Sequence, residues 1–386
     1  MKRLLFPLIC IFPQLLLAQT LTSGHSLRAG DELRRSVVYV PDCPYEGEDA
    51  VWNLEDMVFL DNSLTSSFCG LESAPGMVTC YERFSCQRYI LDDGGISLSE
   101  RHTATSHMAY GIPEIMMRFP MHAGDSISGI YGGNGTYGDK LFVREYGSYK
   151  TKAAATGSII LPDGDTLHHV CMLSTERLVF AEAAPSDSMR MAYGDSIPEY
   201  SHDSICSHML VSTPVNRVRE QRWYAAGYRY PILETTECTA AAGGRLLSKV
   251  ALYYPPEAQE IQLPYDGENE QARLSAERGQ CRHSGNGGNA GGGRGDAADP
   301  VSSFSLSQNH EARTVTITYD LDSSASLRAV LASTMGVVYR SAEQAHEAGT
   351  GYSLTLSYSG LPHGQYVVSV SAGGLTHTAK FNAGIQ

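Results

Sequence analysis

Short runs of alternating apolar and polar residues, separated by turn residues, recur along most of the chain. One of the clearest, TVTITY at residues 314–319, places every second side chain on the same face of a strand. The Asp163-Gly164 pair between two apolar runs is a strong hairpin signal. Long helical periodicity is missing, and only residues 181–184 and 240–247 are compatible with short helices. Many short strands with frequent turns predict an all-β, mainly β, fold.

Changes in composition divide the chain into four segments. Residues 1–18 have a basic start, an apolar stretch and a small residue at the end, which is typical of a secretory signal peptide. Residues 19–265 predict a β-rich domain of unknown function, arranged like a β-sandwich or as a partly closed barrel. Residues 266–300 are dense in Gly, Asn and Asp and predict a flexible linker. Residues 301–386 predict a small Ig-like antiparallel β-sandwich.

The length and charge of the chain limit the classes of partner that it can bind. At 386 residues it is long enough for two domains with cores. A formal net charge of −13 argues against binding to nucleic acid or to an anionic membrane surface. Beyond the first segment, no stretch reaches the roughly 18 apolar residues that a membrane span requires. We therefore predict neither a nucleic-acid partner nor a membrane span.

The cysteine count suggests disulfides. One of nine cysteines, Cys10, would leave with the signal peptide. The even number that remains, in an oxidising compartment, predicts disulfides whose pairing the sequence leaves open: Cys43, Cys69, Cys80, Cys86, Cys171, Cys206, Cys238 and Cys281. Zinc is the alternative, but no C-x-x-C pair exists and the spacing of Cys80 and Cys86 is unusual for ligands. We predict no metal and no cofactor.

A motif near the C-terminus carries a family resemblance. It reads Leu361-Pro362-His363-Gly364-Gln365-Tyr366, and FSLSQN at residues 304–309 and MGVVY at residues 335–339 accompany it. These residues resemble the type A sorting domain of the bacterial type IX secretion pathway, in which Leu361, Pro362, Gly364 and Tyr366 would form the L-P-x-G-x-Y strand. The resemblance implies passage through the periplasm of a gram-negative bacterium and recognition of this domain by the secretion machinery. It also implies release from the cell or attachment to the outer surface.

The N-terminal segment resembles an uncharacterised family of exported bacterial proteins that carry such a C-terminal domain. The resemblance rests on Ala29-Gly30-Asp31, on Val51-Trp52-Asn53-Leu54, on residues 135–166 and on residues 222–231. It implies an architecture and a location, and no activity.

Two blocks resemble those of GDS-type esterases. Gly124-Asp125-Ser126-Ile127 matches the nucleophile block, and Asp165-Thr166-Leu167-His168 matches the Asp-x-x-His block. A nucleophilic serine needs a histidine within hydrogen-bond reach and an acid that orients this histidine. The two blocks lie forty residues apart in a β-rich region, and Gly-Asp-Ser is also good turn chemistry. We therefore predict turns, assign no catalytic residue, and expect no enzyme.

Three further clusters have two interpretations each. His202, Cys206 and His208 would share one face of a strand and could hold a metal, but a disulfide at Cys206 is the simpler prediction. Aromatic residues that could stack on a sugar, or equally fill a core, are Trp223, Tyr228 and Tyr230. Arg294-Gly295-Asp296 matches an integrin-binding tripeptide, which arises easily by chance in such a segment.

The leading interpretation is therefore an exported cell-surface or secreted protein without enzymatic activity, whose C-terminal domain directs its delivery. A surface glycan- or peptide-binding protein is the alternative, and an exported hydrolase is the second alternative.

Overall fold

The computed structural model describes residues 20–40, 47–92, 94–184, 201–263, 265–274, 299–334, 337–373 and 375–383. These residues are mainly β, which confirms the predicted fold class. The signal peptide predicted at residues 1–18 and the tripeptide at residues 294–296 lie outside the described residues. No helix in the described ranges is both long enough and apolar enough to cross a membrane.

The N-terminal unit consists mainly of antiparallel strands. In the described ranges they are β1 (Thr20–Leu21), β2 (Glu32–Tyr39), β3 (Gly47–Asn53), β4 (Val58–Leu71), β5 (Ala74–Glu82), β6 (Ser85–Asp92), β7 (Gly95–Thr103), β8 (Ser106–Arg118), β9 (Met121–His122), β10 (Ser126–Tyr137), β11 (Leu141–Ile160), β12 (Thr166–Ala184), β13 (Asn216–Ala225), β14 (Leu233–Ala240) and β15 (Leu246–Tyr253). The same ranges contain a short 3-10 helix (Ser23–His25) and the α-helices α1 (His202–Val211), α2 (Pro256–Gln262) and α3 (residues 267–274).

The large sheet of this unit closes on itself. Its strand order is β10-β8-β7-β6-β5-β4-β2-β15-β14-β13-β12-β11, and β10 also pairs with β11. The short strand β3 extends the far half of β11 in parallel. We call this ring the closed sheet. Two arrangements were predicted for residues 19–265, and the closed sheet corresponds to the barrel and not to two facing sheets of a sandwich.

Glycine makes this closure possible. A Cβ atom on Gly135 of β10 would lie 1.8 Å from the carbonyl oxygen of His107 on β8. A Cβ atom on Gly147 of β11 would lie 1.9 Å from the carbonyl oxygen of Leu178 on β12. Only glycine allows the backbones to approach so closely, as is common where strands bend at a corner of a sheet. Alternation alone shows which residues form strands, but not that the first and last strands of a sheet meet.

The helices require three corrections to the sequence-based predictions. Residues 181–184 end strand β12 and residues 240–247 form a turn and the start of β15, so neither segment is helical. Residues 202–208, predicted as a strand, belong to helix α1. This helix begins after Ser201, whose side chain accepts a hydrogen bond from the backbone N–H of Ser204.

Helix α3 lies inside the segment predicted as a flexible linker. Just before it, Asp266 accepts two hydrogen bonds from the guanidinium group of Arg229, at 3.0 and 2.6 Å. Within it, the buried Asn269 donates a hydrogen bond of 3.0 Å to the carbonyl oxygen of Gly24. Residues 266–274 therefore belong to the packed N-terminal unit, and the predicted start of the linker at residue 266 is wrong. Composition alone predicted a linker because these residues are polar. In the structure they are held by hydrogen bonds to Arg229 and to the backbone of Gly24.

The C-terminal unit is a small antiparallel sandwich with its own core. Its strands in the described ranges are β16 (Val301–Asn309), β17 (Thr314–Leu321), β18 (Ala325–Ser333), β19 (Val338–His346), β20 (Gly349–Ser357), β21 (Gln365–Ala372) and β22 (Leu375–Asn382). One sheet has the order β16-β17-β20 and the other β19-β18-β21-β22. Val315, Ile317 and Tyr319 point inward from β17, as the alternation predicted, and meet Leu331 and Val368 of the facing sheet.

The sandwich packs against strands β2, β4 and β15 of the closed sheet. Val330 and Ala332 on β18 are fully buried against Val37, Val58 and Leu60 of the closed sheet. Neighbours on a strand face opposite sides, yet both Val37 and Val38 are buried: Val37 lies under the sandwich, and Val38 on the other face packs in the core cluster that contains Trp52 and Trp223. The interface also contains a hydrogen bond of 2.8 Å from Arg328 Nη1 to the carbonyl oxygen of Asp56. The sandwich is therefore docked on the closed sheet.

Candidate functional site inside the closed sheet

The closed sheet surrounds a cavity of about 320 Å³. This volume is at the small end of the range that binds small molecules. Its lining mixes apolar side chains such as Leu98 and Met116 with polar ones, among them His25, Gln87 and Thr236. Such a mixture differs from the purely apolar filling of a structural core, and it makes the cavity the candidate site.

A continuous chain of buried ion pairs borders the cavity. We call it the buried charge chain, and it alternates in sign along Glu114, Arg177, Glu220, Arg222, Glu234, Arg35 and Glu82. These residues come from β2, β5, β8, β12, β13 and β14, so the chain links strands from around the ring.

The first half of the buried charge chain is the more deeply buried. Arg177 Nη1 donates to Glu114 Oε2 at 3.0 Å, and Arg177 Nη2 donates to Glu220 Oε1. Arg222 Nη2 donates to the other oxygen of Glu220 at 2.7 Å. The Arg177 side chain is 7% exposed and that of Glu114 2%. Charges this deep in a protein are tolerated only when they are paired, so each partner depends on the next.

The second half continues from Arg222 to Glu82. Arg222 Nε donates to Glu234 Oε2 at 3.0 Å, and Arg35 Nη1 lies 3.8 Å from Glu234 Oε1. Arg35 Nη2 donates to Glu82 Oε1 at 2.9 Å. Ser66 joins this end, since its Oγ accepts from Arg35 and donates to Glu82 at 2.7 Å.

Strand periodicity explains how the sequence produces this chain. Glu220 and Arg222 are two residues apart on β13 and therefore face the same side, and Arg222 lies directly opposite Glu234 on β14. One residue earlier on each of two strands, Glu176 and Arg219 form an exposed pair on the outer face. The signal in the sequence is the run NRVREQRWYA, in which Glu and Arg occupy the positions of an inward face. This signal was not recognised, because alternation assigns residues to two faces but does not show that the inner face carries charges as well as the outer one.

Burial and pairing set the charge states along the chain. Burial raises the pKa of Glu114, and the attraction of Arg177 only partly counters this rise. For Glu220 burial also opposes ionisation, but Arg177 and Arg222 outweigh it and lower the pKa to about 2. The chain has four carboxylates and three guanidinium groups, and the neighbouring Arg101 also attracts Glu114 and Glu220.

Two buried guanidinium nitrogens of residues that line the cavity have no hydrogen-bond partner within the described residues. They are Arg35 Nε and Arg177 Nε. Buried polar atoms are normally satisfied, and an exception calls for an explanation such as a water, an ion or a ligand. These two N–H donors are therefore available to a polar molecule.

The three aromatic residues predicted as a stacking surface do not share an exposed face. Trp223 is 1% exposed and packs edge-to-face on Trp52, with 6.2 Å between the rings. Tyr230 is 3% exposed, donates to Asp31 Oδ2 at 3.0 Å and lines the cavity. Tyr228 is half-buried and donates to Glu260 Oε1 at 3.2 Å. The surface stacking site is therefore corrected: Trp223 lies on the face of β13 opposite Glu220 and Arg222, where it is buried in the core cluster that contains Trp52.

The predicted sorting motif forms the entry to strand β21. Tyr366 is buried, and its hydroxyl donates to the carbonyl oxygen of Pro362 at 2.8 Å. The carbonyl oxygen of Leu361 accepts from Arg313 Nη2 at 3.0 Å, and that of Gly364 accepts from the N–H of Ala383 at 2.9 Å. The motif residues thus fix the loop between β20 and β21 to the end of β22.

The described cysteines are unpaired, so the structure does not support the predicted disulfides. They are Cys69, Cys80, Cys86, Cys171, Cys206 and Cys238. Strand register shows why the nearest ones do not meet: Cys80 lies opposite Gln87 and points inward, whereas Cys86 lies opposite Tyr81 and points outward. Burial raises the pKa of the Cys80 thiol to about 12, which leaves it unreactive. Cys43 and Cys281 lie outside the described residues.

The two esterase-like blocks are far apart in the structure. Ser126 pairs with Lys152 on β11, whereas His168 contacts Ser158, six residues further along the same strand. Six residues of strand span roughly 20 Å. This block is a turn: Gly124 has a φ of +87°, and the N–H of His122 donates a hydrogen bond of 2.8 Å to Asp125 Oδ2. His168 instead bonds to Ser158 Oγ at 3.0 Å, at an exposed position.

The predicted cluster of His202, Cys206 and His208 lies on helix α1. His202 and Cys206 are one turn apart on α1, with 3.9 Å between His202 Nδ1 and Cys206 Sγ. His208 lies beyond them and points toward Glu182, at 3.4 Å. The three residues therefore do not form the shared strand face that we predicted.

Comparison with known proteins adds no family. No family model matches the sequence, and a search of curated proteins finds no significant match.

Proposed function

We propose that this chain is an exported cell-surface or secreted protein whose C-terminal sandwich directs its delivery through the type IX pathway. The observation that supports the proposal is the sandwich itself, which has a core of its own. The motif residues Leu361, Pro362, Gly364 and Tyr366 lie at the start of its strand β21. Its partner is then the secretion machinery, and its location is the outer surface or the medium of a gram-negative bacterium.

Deletion of residues 301–386 is expected to leave the protein in the periplasm. Deletion also uncovers the apolar wall formed by Val37, Val58, Leu60 and Leu252, which can cause aggregation by itself. The matched control is therefore Val330→Asp, which is designed to undock the sandwich while it leaves the motif intact. Cell fractionation should find the deletion variant in the periplasm and Val330→Asp outside. Delivery of the deletion variant to the surface would contradict the proposal.

A second function is favoured by the cavity. We propose that the closed sheet binds a small polar molecule there, and a sugar or a short peptide fits best. Arginine and glutamate side chains in the buried charge chain already pair with one another, so the remaining groups suit a neutral ligand with several donors and acceptors. This shifts the proposed glycan or peptide site from the surface aromatics to the interior.

Thr236→Val tests the cavity with little change in volume. Thr236 lines the cavity, and we expect its loss to weaken a bound sugar or dipeptide by roughly tenfold, the worth of one hydrogen bond. The control is Thr105→Val in an exposed turn. Calorimetry with a panel of monosaccharides, disaccharides and dipeptides measures the affinities. Absence of any binding, or equal affinities for both variants, would contradict the interior site.

A further inference from the structure

Two histidines and a glutamate converge on the outer face of the closed sheet, away from the cavity. His102 on β7 and His107 on β8 lie directly opposite each other next to the hairpin that joins these strands. Their rings are nearly parallel, with centroids 3.7 Å apart. Glu100 precedes His102 by two residues, so it faces the same side, and its Oε2 lies 3.3 Å from His102 Nε2.

The register brings a thiol to the same place. Cys86 on β6 lies directly opposite His102, and Arg88 lies opposite Glu100. Across three neighbouring strands, Cys86, His102 and His107 therefore form a row on one face. This arrangement arises from strand pairing alone, and no sequence spacing of the kind used by zinc fingers would reveal it.

We propose that Glu100, His102 and His107 form a binding site for a divalent transition-metal ion, with Cys86 as the fourth ligand. One ligand atom from each of Glu100, His102 and His107 lies within 4.8 Å of the other two. Tetrahedral zinc needs ligand atoms about 3.3 Å apart, so small side-chain rotations complete the site. Two imidazoles, a carboxylate and a thiolate form a set that zinc prefers and that magnesium and calcium do not.

Arg88 serves as a positioning residue for this site. Its Nη1 donates to Glu100 Oε1 at 2.5 Å, which leaves Oε2 directed toward His102. Partners of this kind orient ligating carboxylates in metal sites. Asp139, in the turn after β10, adds negative charge near His107, and the guanidinium group of Arg88 adds positive charge there. Arg88 therefore contributes to the site by orienting Glu100, and not by its charge.

Zinc titration by calorimetry tests the site on the purified protein. A background with His202→Ala and His208→Ala removes the cluster on α1, where His202 lies 3.9 Å from Cys206. We expect one zinc ion per chain in this background. His102→Ala and His107→Ala should each weaken binding on the order of 100-fold, since loss of a ligand exceeds the loss of an outer partner. Glu100→Gln should weaken it by roughly tenfold.

The matched control is His122→Ala. His122 is an exposed histidine whose Nδ1 lies 3.3 Å from Asp125 Oδ2, a comparable contact outside the site. We expect its affinity for zinc to equal that of the background, and circular dichroism should show all variants folded because the replaced side chains lie on the outer face. Absence of zinc binding in the background would overturn the site. Equal affinity in His102→Ala, His107→Ala and His122→Ala would overturn it as well.

Cobalt identifies the fourth ligand. Co²⁺ bound through a thiolate has a sulfur-to-metal charge-transfer band in the near ultraviolet, so we expect this band in the background and its loss in Cys86→Ser. A cobalt complex that lacks the band would overturn the assignment of Cys86.

Discussion

Replacement of Arg177 by methionine is expected to lower the free energy of unfolding by about 3–5 kcal/mol. Arg177 donates to both Glu114 and Glu220 in the interior of the closed sheet, so its loss leaves two buried carboxylates without their shared partner. Burial already raises the pKa of Glu114 in the intact chain. Urea denaturation followed by circular dichroism measures the change.

Arg219→Met is the matched control for this prediction. Arg219 pairs with Glu176 on the same two strands, but on the exposed outer face, at 3.0 Å. Exposed pairs contribute at most about 1 kcal/mol, so we expect this variant to be nearly as stable as the parent. Equal destabilisation by both substitutions would contradict the interior position of Arg177.

The same network predicts a pH dependence. The pKa of Glu220 is lowered to about 2, below its ordinary value of 4.5. Its contribution to stability is therefore present above pH 4.5 and is lost as the pH falls toward 2. In Arg177→Met this acid-dependent loss should shrink, because the main partner that lowers the pKa of Glu220 is gone.

Trp223→Ala is expected to cost about 3–5 kcal/mol of unfolding free energy. Trp223 is 1% exposed and packs edge-to-face on Trp52 in a core cluster on the face of β13 opposite Arg222. Truncation leaves a large void that the surrounding strands cannot fill. The control is Tyr137→Ala, a truncation of an aromatic residue that is 54% exposed, for which we expect a change within about 0.5 kcal/mol. Similar stabilities of the two variants would show that Trp223 is not a core residue.

The instability expected of Trp223→Ala makes this variant unsuitable for binding experiments. A loss of glycan binding in Trp223→Ala would follow from unfolding alone, whether or not the residue touches a ligand. Thr236→Val avoids this problem because it keeps nearly the same volume at the cavity wall.

The sequence predicted the strands well and their closure poorly. Alternation at residues 314–319 identified the inward face of β17, and the turn at Asp163-Gly164 joins β11 to β12 as predicted. Whether a sheet closes depends on contacts between strands far apart in the chain, such as β2 with β15. Such contacts leave no local pattern in the sequence.

The candidate sites were missed for a related reason. His102 and His107 belong to a hairpin, but Cys86 joins them only through the register of a third strand. In the same way, Arg177 meets Glu114 across 63 residues of sequence. Glu100, His102 and His107 lie within eight residues of one another, which is a local signal of the metal site, whereas Cys86 and the residues of the buried charge chain are brought together only by the closed sheet.

The most direct measurement concerns the proposed route of delivery. The full chain would be produced in a bacterium that has the type IX pathway and in an otherwise identical strain that lacks it, and medium, cell surface and periplasm would be compared by immunoblot. We expect the protein on the surface or in the medium of the first strain and in the periplasm of the second. The same outside fraction in both strains would contradict the proposal that the C-terminal sandwich is a type IX sorting domain.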